Sequence, residues 1–257
     1  MGNLNQKTCI IIPARYNSSR LQGKVLSDLS GKSVIQRVFE QVSKVKNVDK
    51  IIIATDSGTV YDHCLKFTPN VVITDKHESG TDRIAEVALK SEKYDNIINV
   101  QGDEPFICPN LISELIDNLI SSDNNIITVK KQIKDIKDLK NPNVVKVINN
   151  NLDKAIYFSR SILPLDRDNI DSILNDTYCL SKSDVNYYKH IGIYGYKRDF
   201  LIKYSQMKQT ILENTEKLEQ LRILENGFDI KLIETNTESI GIDTQEDLDK
   251  ARELFNN

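Results

Sequence analysis

Residues 10–24 read IIIPARYNSSRLQGK, and the organisation of the whole chain follows from them. Ile10, Ile11 and Ile12 form a β-branched run of the kind a parallel strand shows when both its faces are buried. Pro13 ends the run, since proline offers no N–H to a sheet. The polar loop that follows carries Arg15, Arg20 and Lys24. Open α/β sheets bind ligands at the carboxyl ends of their strands, so cations just after the first strand face a ligand position. The small residues Ser18, Ser19 and Gly23 let a ligand approach the backbone there. The expected ligand is a polyanion, and a triphosphate suits three cations in one loop. The alternative is a solvated basic loop, as most surface charges are.

Outward from this loop, strand and helix patterns alternate. Val34, Ile35, Val38, Phe39, Val42 and Val45 recur at helical spacing after Gly31. The string SGKS nearby is no phosphate loop, because the glycine that motif needs would fall at Leu26. Residues 50–56 read as a buried strand, 60–67 as a helix, 71–74 as a short strand and 81–90 as a helix. NIINVQGDEP, residues 96–105, is a strand running into an acidic turn, and residues 111–120 form an amphipathic helix. This order predicts a parallel sheet with right-handed crossovers.

The rhythm changes after residue 126. NIITVKK, NVVKVINN and KAIYFSR are strand-like with no helix expected between them, which predicts a meander or antiparallel insertion. Residues 166–186 read as an irregular, mobile loop, residues 190–201 as strand then helix, and residues 216–225 as one helix. Residues 230–234 and 239–243 are extended, and Thr244, with Asp247 three residues on, caps a final helix.

Composition narrows the function classes. A chain of 257 residues, 39% hydrophobic and 28% charged, suits one large α/β domain or two small ones with a packed core. A formal net charge of −3 argues against general nucleic-acid binding. No apolar run reaches the roughly 18–20 residues of a membrane span. The start, MGNLNQKTC, lacks the apolar core of a signal peptide, and Gln6 stands where a myristoylation signal needs Ser or Thr. Cys9, Cys64, Cys108 and Cys179 are far apart, so reduced thiols and a cytoplasmic location are expected rather than a zinc or disulfide framework. His77 has no second histidine four residues on, so no zinc-protease motif is present.

A second constellation is VQGDEP. Asp103 follows a buried strand at the same sheet edge as Arg15, and an aspartate so placed suits Mg²⁺, which takes one or two carboxylates plus phosphate oxygens. Asp243, in IGIDT, ends another extended piece. Alone, each has a bland reading, as an acidic turn and as a helix start. Together with the basic loop they predict a metal–triphosphate site.

IIPARYNSSRLQGK, HESGTDR, NVQGDEP, NPNVVKV, YFSRSILPLDRD, HIGIYGY, LEQLRIL and GIDT occur in this order across nearly the whole chain. In this the chain resembles the 3-deoxy-manno-octulosonate cytidylyltransferase (CMP-KDO synthetase) family. It departs from the family at Gln22 and Val25, where proline is usual, and at Leu165, where an aromatic is usual; these touch loop stiffness and the sugar pocket. The resemblance implies a single α/β nucleotidyltransferase domain over residues 1–257. Its mostly parallel twisted sheet would be flanked by helices, as in nucleotide-diphospho-sugar transferases. An antiparallel β insertion near 126–200 would serve dimerisation and sugar binding. The implied reaction joins CTP and an acidic eight-carbon sugar, with Mg²⁺, to give the CMP-sugar and pyrophosphate for lipopolysaccharide synthesis.

Residue by residue, the resemblance implies catalytic roles for Arg15, Lys24, Asp103 and Asp243, the two aspartates holding the metal. It implies nucleotide binding by Pro13, Ala14, Arg15, Arg20, Lys24, Ser79, Gly80, Arg83, Gln101 and Gly102. The sugar falls to Gln101, Arg160, Arg167, His190, Tyr194, Glu219 and Gln220. Ser79 or Thr81 capping a helix is the structural alternative for SGTDR. A homodimer without nucleic-acid or membrane partners is implied. The competing readings are the same reaction on an 8-amino analogue or a sialic acid, a nucleotide-sugar glycosyltransferase, and an inactive nucleotide sensor.

Overall fold

The structure is a computed structural model describing residues 6–18 and 20–256. Ser19 and the first five residues of the start read above lie outside the described residues. The elements in chain order are β1 (Thr8–Pro13), β2 (Asp28–Leu29), β3 (Lys32–Ser33), α1 (Val34–Val42), β4 (Lys50–Thr55), α2 (Gly58–Cys64), β5 (Val71–Ile73), α3 (Gly80–Leu89), β6 (Asn96–Asn99), α4 (Pro109–Ser121) and β7 (Ile126–Gln132). Then come α5 (Ile136–Lys140), β8 (Lys146–Asn149), β9 (Ala155–Ser159), α6 (Ile170–Leu174), β10 (Tyr188–Lys197), α7 (Arg198–Ser205), α8 (Ile211–Glu216), α9 (Leu221–Glu225), β11 (Lys231–Thr235) and α10 (Gln245–Asn256). They fall into two compact units. The first takes residues 1–123, 193–206 and 237–257; the second takes 124–192 and 207–236.

In the first unit β1 lies between β4 and β6 and is parallel to both, with Ile11 opposite Ile52 on one side and Asn99 on the other. β5 extends the sheet beyond β4 in parallel, and the end of β10 pairs antiparallel with β6. Ile10, Ile11 and Ile12 are fully buried, as strands covered on both faces require. The chain leaves β1 toward β4 and β5, then returns to its other side at β6. The β1–β6 crevice is therefore the switch point at which open α/β sheets hold their ligands. Helix starts follow local chemistry. Ser33 Oγ accepts from Gln36 N at α1, and Ser79 Oγ accepts from Asp82 N at α3. At α10 the expected cap is present: Thr244 Oγ1 accepts from Asp247 N, and the Asp247 carboxylate accepts from Thr244 N.

The second unit contains the expected antiparallel insertion, with one parallel pair added to it. β7 pairs in parallel with β11, Val129 opposite Ile233, while the antiparallel pairs are β8 with β9 and β8 with the start of β10. A short helix, α5, does intervene after β7, started by Asp135, whose carboxylate accepts from Lys137 N. The stretch 166–186 is ordered into α6 flanked by 3-10 turns at Arg167–Asn169 and Leu180–Lys182. Ile133, Leu139, Ile173 and Tyr187 form an apolar cluster within this unit. The helix expected over 216–225 is shorter, α9 alone, while α8 ends at Glu216, where Lys217 adopts left-handed φ 54°.

Candidate active site

The loop after β1 is shaped by its backbone. Ala14 N donates to Ala54 O at 2.8 Å, and Gly23 N donates to Tyr16 O at 2.9 Å, which brings Tyr16 and Gly23 together. Gly23 has φ 68°, a conformation that favours glycine, and it launches a 3-10 turn over Lys24–Leu26. Lys24 is thereby aimed into the crevice. At the end of β6, a Cβ on Gly102 would stand 2.7 Å from the Pro13 carbonyl oxygen, so only glycine lets the two strand-end loops approach this closely.

These loops, with Gly80 at the start of α3, enclose a cavity of about 280 Å³. Pro13, Arg15, Asn17, Ser18, Arg20, Lys24, Val25, Gly80, Gln101, Gly102, Asp103 and Asp243 line it, all within the first unit. Lys24 Nζ donates to Asp103 Oδ2 and, at 2.8 Å, to Asp243 Oδ1. Arg20 Nη2 lies 2.9 Å from Asp243 Oδ2, and Arg15 Nη1 donates to the Glu78 carbonyl at 2.7 Å. Burial lowers the Lys24 ammonium, but Asp103 and Asp243 outweigh it and hold the group above its ordinary value. Lys24 is therefore charged throughout the neutral range.

Asp103 and Asp243 meet because two hydrogen bonds tie their segments together. Ile242 N donates to Asp103 O at 2.8 Å, and Ser239 Oγ donates to Glu104 Oε2 at 2.7 Å. Burial and the carboxylates of Asp103 and Asp243 push Glu104 up to about 7, against the lowering effect of Ser239. Glu104 and Ser239 received no role from sequence reasoning. A tie between side chains 135 positions apart leaves no periodic or spacing signal. Asn17 and Ser18 also line the cavity, and the sequence marked the loop without separating their contributions.

The remaining nucleotide-side residues are arranged as follows. Ala14 is buried behind the loop, and Ser79 caps α3. Arg83 is fully buried, with Nη1 donating to Thr74 Oγ1 at 2.5 Å and Nη2 3.2 Å from Asp56. It supports α3 from inside and is not part of the cavity wall.

Of the residues expected at the sugar, Gln101 and Tyr194 lie in the first unit. Tyr194 is buried and stacks on Tyr196 with centroids 5.7 Å apart. The other five lie in the second unit. Arg160 Nε donates to Glu216 O at 2.7 Å and Nη1 to Pro142 O at 3.0 Å, so backbone carbonyls hold much of its guanidinium. His190 Nε2 is 2.9 Å from Thr128 Oγ1, and its ring meets Phe158 edge-on. Burial pulls His190 down to about 3, so its imidazole is neutral at physiological pH. Arg167 is exposed in a 3-10 turn, while Glu219 and Gln220 occupy the joint between α8 and α9. A buried bidentate pair fixes that joint: Arg222 Nε donates to Glu213 Oε2 at 2.8 Å and Nη2 to Oε1 at 2.5 Å.

The carboxylate pair fits a magnesium ion. Asp103 and Asp243 already flank one cation, the Lys24 ammonium, and oxygen donors beside room for phosphate are what Mg²⁺ takes.

The chain matches known proteins along nearly its whole length. The profile of the cytidylyltransferase family matches residues 9–254. The chain is 46% identical over 243 residues to a 3-deoxy-manno-octulosonate cytidylyltransferase of Fusobacterium nucleatum, covering 94% of each chain. To the enzyme of that name from Geotalea uraniireducens it is 46% identical over 250 residues, covering 96% of this chain and 98% of that one. A solved structure of a CMP:2-keto-3-deoxy-manno-octonic acid synthetase complexed with CTP superposes with a TM-score of 0.88 at 38% identity, covering 98% of this chain and 99% of that one.

Proposed function

The chain belongs to the 3-deoxy-manno-octulosonate cytidylyltransferase family, and we propose that it activates 3-deoxy-D-manno-octulosonate with CTP, giving the CMP-sugar and pyrophosphate. The sugar's anomeric hydroxyl attacks the α-phosphorus in line. A new P–O bond forms to the sugar, and the bond to the β-phosphate breaks. Such phosphorus chemistry needs positioning and charge neutralisation more than covalent help. The observation that carries the reading is the meeting of Lys24, Asp103 and Asp243 in a basic cavity at the sheet's switch point.

Arg15, Arg20 and Lys24 hold the triphosphate, and Lys24 offsets charge developing on the departing pyrophosphate. Pro13, Ala14, Ser79, Gly80, Gln101 and Gly102 shape the nucleotide cleft, with Arg83 bracing it from within. Asp103 and Asp243 are assigned to Mg²⁺, which when bound polarises the α-phosphate. Gln101, Arg160, Arg167, His190, Tyr194, Glu219 and Gln220 are assigned to the sugar. His190 serves as a neutral hydrogen-bonding group, given its depressed pKa. A glycosyltransferase has no use for a basic loop directed at a leaving pyrophosphate, which disfavours that rival.

No described helix is long and apolar enough to cross a membrane. We assign the protein to the cytoplasm, where it would feed lipopolysaccharide synthesis. A homodimer through the second unit is proposed as well. Leu152, Ile156 and Ile211 are 67%, 56% and 81% exposed there, a set of apolar groups that a partner copy would cover. Light scattering on an active preparation should give a dimer mass, and a monomer mass would refute this.

The activity is tested by pyrophosphate release from CTP and Mg²⁺ across a panel of acid sugars. The octulosonate should be turned over fastest. Release with none of them would overturn the proposal, and a preference for an 8-amino analogue would redirect it.

A further inference from the structure

NPNVVKV, residues 141–147, has no part in the chemistry assigned above, yet it holds the most enclosed ammonium among the described residues of the second unit. Lys146 opens β8 opposite Ser159 of β9 and is fully buried. Its Nζ donates to three backbone carbonyls: Asn141 at 2.9 Å, Val144 at 2.7 Å and Arg160 at 2.7 Å. An ammonium has three N–H donors, so all are used. The Pro142 carbonyl, within the same turn, accepts from Arg160 Nη1 at 3.0 Å. Arg160 is also held from its other side, its backbone N donating to Glu216 Oε2 at 2.9 Å. The 141–144 turn and the strand end at Arg160 are thus locked together through two cations and their carbonyl partners.

We propose that Lys146 is a positioning residue for sugar recognition, fixing the backbone from which Arg160 projects and the turn that orients its guanidinium. The inference rests on the assignment of Arg160 to the sugar. The geometry requires the charged form, because a neutral amine has two N–H groups for three carbonyls. Burial and the Arg160 guanidinium lower Lys146 to about 8, opposed by Glu216 and Asp138. On the facing strand Lys189 stands opposite Lys146 and is itself paired with Asp138 at 3.0 Å. The cage should therefore loosen as pH rises through about 8, within the range of an enzyme assay.

The test compares wild type, Lys146→Met and Lys146→Arg, measuring the sugar KM and kcat from pyrophosphate release and CTP affinity by calorimetry. Leaving buried carbonyls unpaired should raise the sugar KM of Lys146→Met by about tenfold or more. CTP affinity should stay within about twofold. Lys146→Arg, which keeps charge and donors, should recover most of the loss. The wild-type sugar KM should rise above pH about 8, and that of Lys146→Arg should not. A folded Lys146→Met with the wild-type sugar KM overturns the inference, as does an equal loss of CTP affinity. Where Lys146→Met does not fold, a flat wild-type profile, or the same rise in Lys146→Arg, overturns it. Absence of wild-type turnover with any acid sugar defeats the functional reading instead, and is distinguished by that control.

Discussion

The cavity cations of the first unit and the most buried cations of the second use positive charge in opposite ways. In the first, Arg15, Arg20 and Lys24 line a cavity, and their carboxylate and carbonyl partners are ones a ligand can replace or reinforce. In the second, Lys130, Lys146 and Arg222 are buried cations committed to the protein's own acceptors. Ion pairs near solvent contribute about 0–1 kcal/mol, so a site can give them up at little cost. Removing one partner of a buried pair costs about 3–5 kcal/mol, because the other charge is stranded. A cation's role is thus decided by what surrounds it after folding: Arg15, Arg20 and Lys24 keep their charge for a ligand, whereas Lys130, Lys146 and Arg222, like the buried Arg83 of the first unit, fasten the protein with theirs.

The strongest test of this contrast is Asp103→Ala and Asp243→Ala. Each should lower turnover by on the order of 10³-fold or more, since a charge facing the proposed metal and phosphate is lost. Pyrophosphate release under chelator-controlled Mg²⁺ checks it, and full turnover by either variant would break the comparison on the catalytic side. On the structural side, Glu213→Ala removes the acceptor of buried Arg222 and an acceptor for Thr210 N at the start of α8. Urea unfolding should show about 3–5 kcal/mol lost. A loss below 1 kcal/mol would mean that the second unit's buried charges are not fasteners.

Lys24→Ala comes next. Turnover should fall by about 10²–10³, or roughly 2.7–4 kcal/mol of barrier, with the melting temperature nearly unchanged. If only the Michaelis constant for CTP rises, Lys24 binds substrate without assisting the leaving group.

The smallest effect concerns His190. Its folded pKa is depressed to about 3, below the ordinary 6.5, so its contribution to stability is fully present above about 6.5. That contribution is lost as pH falls from there toward 3, because the unfolded chain takes up the proton first. Imidazole resonances followed by NMR should show His190 neutral down to at least pH 5. Replacement by alanine should cost about 1 kcal/mol in sugar binding, the net worth of a neutral hydrogen bond. A midpoint near 6.5 would contradict the desolvation that lowers its pKa.

The same contrast explains what the sequence revealed. Ile10–Ile12, the basic loop, the GDEP turn and the Thr244–Asp247 cap were legible because each is a local pattern with a local cause. α5 was missed because a five-residue helix begun by Asp135 carries too few turns for a periodicity to register. The β7–β11 pairing joins strands about a hundred residues apart, and alternation within a strand does not name its neighbour. The break between α8 and α9 rests on one left-handed residue, Lys217, which nothing in its side chain announces. Lys146 received no role from the sequence because its partners are backbone carbonyls, and every residue has one.

The hydrogen bond from Ile242 to the Asp103 carbonyl also has a bearing on how the protein is made. A ribosome delivers the basic loop and the GDEP turn early, whereas Asp243 follows Lys24 by 219 positions. Until that late segment has emerged and docked, Lys24 has only one of its two carboxylates, and the proposed metal site has half its protein ligands. The contact on which the proposed chemistry turns is thus completed only by a segment made long after the loop it serves.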